Sequence, residues 1–110
     1  MAPAGPTSTL VRGGNLQAAR QGMPFAAQLT AAVTDGDGRP VPGAVVAFRV
    51  WSGAAVFGSA GRVATARTNA AGIATAPVLA AGGTVGPVRV TALAAGSQRP
   101  ATYALRVAPY

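Results

Sequence analysis

Gly and Pro interrupt this chain roughly every eight to twelve residues, and the stretches between them are rich in Val, Thr and Ala with a period-two alternation. That punctuation limits the fold more than any other feature. An isolated helix needs about 12–15 residues to be even marginally stable, and no stretch here sustains a helical period; LQAARQ, residues 16 to 21, is the one segment with helical-turn character. Alternation instead suits a strand, whose successive side chains point to opposite faces so that one face is buried and the other wetted.

Seven strands follow from this pattern. STLVR is an edge strand at the end of an extended, proline-bearing opening. In QLTAAVT, Leu29, Ala31 and Val33 share the inward face. AVVAFRVW turns Val46, Phe48 and Val50 inward and leaves Arg49 and Trp51 outward. VATART and IATAPVL flank the turn TNAAG, where Gly72 suits a positive φ. VRVTALA and ATYALRVA present Val88, Val90 and Ala92, then Tyr103, Leu105 and Val107, to the interior. The expected architecture is all-β, an antiparallel sandwich of about seven strands. Residues 1–14 are expected to form a Pro/Gly-rich arm carrying the first edge strand, and residues 15–110 the sandwich. Its interior is mostly Ala and Val, with Leu29, Phe48, Ile73, Leu79, Tyr103 and Leu105 as the bulky fillers.

Composition narrows the chemistry. The chain has no Cys, His, Glu or Lys, and Asp35 and Asp37 are its sole acidic side chains. Disulfides, thiol nucleophiles and thiolate metal sites are excluded. Ser8, Ser52, Ser59 and Ser97 have no histidine or lysine to take a proton, so the usual nucleophilic and acid–base machinery is missing and a noncatalytic role is expected. No cofactor is implied. The nine positive charges are all arginine, giving a net charge of +7 and a pI near 11.9, which favours anionic partners. The same Ala, Gly, Pro and Arg bias is what GC-rich coding DNA writes, so charge alone does not name the partner.

Asp35 and Asp37 in VTDGDGRPVPG are spaced like the first two ligands of a calcium loop. Aligned on Asp35, however, Arg39 takes the fifth ligand position, Pro40 the glycine position, and Val46 that of the bidentate Glu. A turn accounts for the residues better: the Asp35 side chain bonds its own backbone two residues on, Gly36 and Gly38 supply special φ values, and Pro40 and Pro42 fix an extended exit.

The longest uncharged stretch, TNAAGIATAPVLAAGGTVGPV, is broken by Gly, Pro and Thr, so no membrane insertion is expected. The opening MAPAGPTSTLVRGG has no apolar export signal. Two origins fit: a domain excised from a longer secreted protein, or a product that reaches its place from the cytoplasm.

The segment PFAAQLTAAVTDGDGRPVPGAVVAFRV resembles the opening of bacterial Ig-like domains of the invasin/intimin type, in which a V-T-D-x-x-G-x-P-V-x-G turn leads into a V-x-F-x-V strand. AVFGSAGRVATARTNAAGIATAPVLAAGGTVGPVRVTALA is similar to the same family's T-D-x-x-G-x-A turn and G-x-V-x-V-T-A strand, with Asn69 in place of the common Asp. The resemblance runs from Asn15 to Val107 and implies a stiff spacer or adhesion module of a surface or secreted protein, often in tandem with neighbouring Ig-like domains. Such modules also decorate phage virions, where capsid proteins would be the partners.

In such a sandwich the third, sixth and seventh strands are neighbours in one sheet. Arg49, Arg89 and Arg106 fall one on each and alternate with inward apolar residues, so they are expected to form a basic face for a protein or an anionic cell-surface polymer, with Arg99 at the rim. The same three charges would also serve simply to keep the sheet soluble. Trp51 offers a stacking surface for a carbohydrate. With Trp51, Phe57 and Tyr110 as the available aromatics and no groove-reading helix, specific nucleic-acid binding is not expected.

Overall fold

The computed structural model describes residues 8–58, 61–97 and 100–109. In chain order its strands are β1 (Ser8–Gly13), β2 (Ala18–Arg20), β3 (Thr30–Thr34), β4 (Val45–Ser52), β5 (Ala55–Val56), β6 (Val63–Arg67), β7 (Ile73–Thr75), β8 (Ala80–Ala81), β9 (Gly86–Ala94) and β10 (Ala101–Ala108). One sheet has the order β1-β3-β7, the other β2-β10-β9-β4-β6, and β5 and β8 pair as a small ribbon. The two main sheets make an Ig-like β-sandwich. All pairings are antiparallel except that of β2 with β10.

The seven expected strands are present as β1, β3, β4, β6, β7, β9 and β10, and β1 lies at a sheet edge. Residues 16–21 are not a helical turn. Ala19 is buried opposite Val107, Leu16 N donates to Ala104 O at 3.1 Å, Arg106 N to Gln17 O at 3.1 Å, and Gln21 N to Ala108 O at 3.1 Å. A stretch this short gains nothing from helix, whereas the open edge of β10 offers it a full set of partners.

Alternation is obeyed wherever a strand is long. Leu29, Ala31 and Val33, then Val46, Phe48 and Val50, then Val88, Val90 and Ala92, then Tyr103, Leu105 and Val107 are all buried. The centre is aromatic: Phe48 lies 6.4 Å from Phe57, edge on, and 6.4 Å from Tyr103, tilted. Such rings contribute about 0.5–1.5 kcal/mol per pair beyond the area they bury. The Tyr103 hydroxyl donates to Thr30 O at 2.5 Å, tying β10 to β3 across the interior. Phe57, a candidate exposed aromatic by sequence, is buried and closes the core toward the β5–β8 ribbon.

Ile73 departs from its expected place. It is half-buried, and Ala74 and Ala76 take the interior positions instead. Register is the reason: β7 pairs Ala74 with the buried Ala31 and Ile73 with the half-buried Ala32, so the larger side chain is turned outward.

The aspartate question is settled by a repeated turn. Asp35 Oδ1 accepts from Asp37 N at 2.9 Å and Arg39 N at 3.0 Å, while Asp35 N donates to Arg39 O and Gly38 N to Asp35 O. Asn69 does the same work 34 positions on: its Oδ1 accepts from Ala71 N at 2.9 Å and Ile73 N at 3.1 Å, Asn69 N donates to Ile73 O, and Gly72 N to Asn69 O. A neutral amide thus builds the identical loop, so the Asp35 charge is not needed for it. Gly38 and Gly72 have φ of 80° and 76°; Gly36, expected to share this conformation, does not. Gly72 is also pressed against the first turn, since a Cβ there would lie 2.7 Å from Pro40 Cβ and 2.9 Å from Val33 O.

Three outcomes are expected. Phe48→Ala leaves a void among small neighbours and should cost about 3–5 kcal/mol, lowering the melting temperature by more than ~10 °C; an unchanged melting temperature would take Phe48 out of the core. Asp35→Asn should stay within about 1 kcal/mol of the parent whereas Asp35→Ala loses both acceptors and about 1–2 kcal/mol, and calcium should shift neither melting curve. Burial holds the Tyr103 phenol well above its ordinary value, so the neutral form is the folded one: its contribution is complete below about pH 10 and falls as pH rises beyond. Tyr103→Phe should reduce that alkaline decline, and an identical decline in the variant would contradict the assignment.

Candidate functional site

The order β10-β9-β4 sets Arg106, Arg89 and Arg49 on three adjacent strands. Each lies between two buried residues: Leu105 and Val107, Val88 and Val90, Phe48 and Val50. Alternation therefore sends all three side chains to solvent on one face, and all three are exposed. Register refines the row expected from sequence into a diagonal. Arg106 is opposite Pro87, Arg89 opposite Ala104, and Arg49 opposite Thr91, so each guanidinium is displaced by two residues from the next. Diagonal neighbours of this kind have Cα atoms about 7–8 Å apart, close enough for one extended ligand to meet all three.

Trp51 shapes this face. Val50 pairs with Val90 and Ser52 with Arg89, so Trp51 is the extra residue of a β-bulge. Its ring is outward and 54% exposed. Arg49 Cζ stands 4.0 Å from the ring centroid, and Trp51 Nε1 donates to Thr91 Oγ1 at 2.5 Å. The indole is held by Thr91 and the guanidinium lies on the indole, which restrains a long side chain that would otherwise lose rotamer freedom on binding. One ring surface is thereby covered, which counts against Trp51 as an open sugar platform. Outward parity of Arg49 and Trp51 was readable from alternation; the bulge and the Thr91 tether were not, because both depend on the pairing of β4 with β9. Arg99 and Tyr110 lie outside the described residues.

Chemically, the face offers donors. A guanidinium carries five N–H groups in a planar fork matched to carboxylate or phosphate oxygens and keeps its charge at any accessible pH. Arg62, at the sheet end, is already engaged, with Nη1 donating to Gly53 O at 3.0 Å. Both aspartates are in the β3–β4 turn, so neither neutralises the diagonal.

No curated protein matches the sequence. Among solved structures, the D00-D0 domain of intimin superposes with a TM-score of 0.66 at 25% identity, over 96% of this chain and 48% of that one. The chain thus spans about half the length of that intimin fragment. The profile of the bacterial Ig-like domain (group 1) matches residues 25–106, which contain both repeated turns, the aromatic centre and the arginine diagonal. On that match and on its sandwich topology, the chain belongs to the bacterial Ig-like domain family, group 1, of the invasin/intimin type.

Proposed function

We propose that the domain is a noncatalytic spacer and display module of a bacterial surface or secreted protein, and that its basic sheet face docks an anionic partner. The observation that carries this reading is the diagonal of Arg106, Arg89 and Arg49 on one rigid sheet, with Arg49 braced on Trp51. A spacer is supported by the strand directions. β1 starts beside Thr34 at the end holding the two repeated turns, whereas β10 finishes beside Gly86 at the opposite end. Load or separation would therefore be transmitted along the sandwich. The family and its intimin neighbour support a surface module over a virion protein.

Retention on an immobilised anionic polymer provides the test, with the salt needed for elution as the readout. Arg49→Ala, Arg89→Ala and Arg106→Ala combined should lower that salt sharply, since each removed contact reduces the number of counterions released. An unchanged elution profile, in a variant whose melting curve matches the parent, would show the face to be inert.

A further inference from the structure

Two more arginines continue the diagonal. On β2, Ala19 is buried beside Val107 and Arg20 is exposed opposite Ala108, so Arg20 lies on the outer face two residues beyond Arg106. On β6, Ala64 is buried and Arg67 is exposed opposite Val45, so Arg67 lies on the same face beyond Arg49, about 14 Å along by strand rise. The full sequence Arg20, Arg106, Arg89, Arg49, Arg67 uses one arginine from every strand of the sheet, in the order β2-β10-β9-β4-β6. Five of the chain's nine cationic side chains are thus ranged along a single line.

The surroundings of that line are informative. Its neighbours on the outer face are short around Arg20, Arg106 and Arg89, namely Ala18, Ala104, Pro87, Thr91 and Thr102, and apolar around Arg49 and Arg67, where Trp51, Val63, Leu93 and Val45 stand. No Asn, Gln, Asp or Glu lies on the five strands. Like charges set as diagonal neighbours with no acid among them raise the energy of the isolated domain, and an anion running along the line removes that cost. Sugar hydroxyls are ordinarily met by amide and carboxylate side chains that both donate and accept, which this face lacks. Stacked bases need open aromatic rings, and the Trp51 ring is already partly covered by Arg49. What remains matched is a backbone of repeated anionic oxygens.

We infer that the outer face of the five-stranded sheet binds a linear, non-nucleic phosphodiester polymer laid diagonally across all five strands, with Arg20 and Arg67 holding its two ends. This rests on the basic-face reading above and names the ligand class and the full extent of that site. Each guanidinium takes the two free oxygens of one phosphate in a bidentate pair.

The experiment titrates the intact domain with a synthetic poly(glycerol phosphate) at several salt concentrations, with alginate and a single-stranded DNA homopolymer as comparison probes. Two variants of equal net charge are compared, Arg20→Gln with Arg67→Gln, and Arg12→Gln with Arg39→Gln, after melting curves confirm that both fold. The first pair should weaken binding by about tenfold or more and lower the salt slope by roughly 1.4, about 0.7 for each lost phosphate contact. The second pair should change affinity by less than about twofold, on the expectation that screened distant charges contribute little. Equal weakening by both pairs would mean that affinity follows net charge, and would overturn the extended line while leaving the three central arginines standing. Alginate or DNA bound as tightly as the glycerol phosphate polymer would overturn the ligand assignment. Failure to bind any of the three would remove the basic-face reading itself, and this inference with it.

Discussion

Everything in this structure depends on how little room lies between the two sheets. The interior is filled mainly by Ala and Val, with Phe48 wedged between Phe57 and Tyr103 at its centre. A core built from such small side chains tolerates no polar insertion that lacks a partner, and among the described residues every buried side-chain polar atom is bonded. Thr9 Oγ1 accepts from Ala94 N, Thr68 Oγ1 donates to Val41 O and accepts from Ala44 N, and the Tyr103 hydroxyl meets Thr30 O. Each of these bonds joins segments distant in sequence, so satisfying a buried group and fixing the topology are one event. Charge is left to the exterior.

That division makes the sheet a template for side-chain placement. Because the inner residues of β4, β9 and β10 cannot rotate out without opening the core, Arg49, Arg89 and Arg106 cannot rotate in. Strand pairing then fixes their relative offsets. The result is a set of flexible cations on fixed roots, one of them further restrained by stacking on Trp51. The anion binding proposed above would need no moving part on such a surface.

Sequence alone disclosed most of this and failed at identifiable places. Parity within a strand is a local property, so the inward sets of β3, β4, β9 and β10 and the outward arginines were all legible. So were the turn at Asp35 and its counterpart at Asn69, because Asx side chains bond backbone only a few residues away. What could not be read was register between strands. The diagonal offset of the arginines, the bulge at Trp51 and the outward turn of Ile73 all follow from which residue on one strand faces which on the next. β2 escaped for a related reason: three residues with no pattern of their own become a strand because β10 has an unpaired edge. Arg20 and Arg67 were visible as charges, but their alignment with the other three required the complete sheet order.

The proposed binding function resides in guanidiniums fixed on one face, not in the loops or the interior. It is tested most directly by following the arginine Nε–Hε resonances of the folded domain in ¹H–¹⁵N spectra as a short glycerol phosphate oligomer is added. That placement predicts that Arg20, Arg49, Arg67, Arg89 and Arg106 shift together along one saturating curve, and that Arg12 on β1 and Arg39 in the β3–β4 turn stay in place. Shifts centred on Arg39, or spread evenly over every arginine, would contradict it.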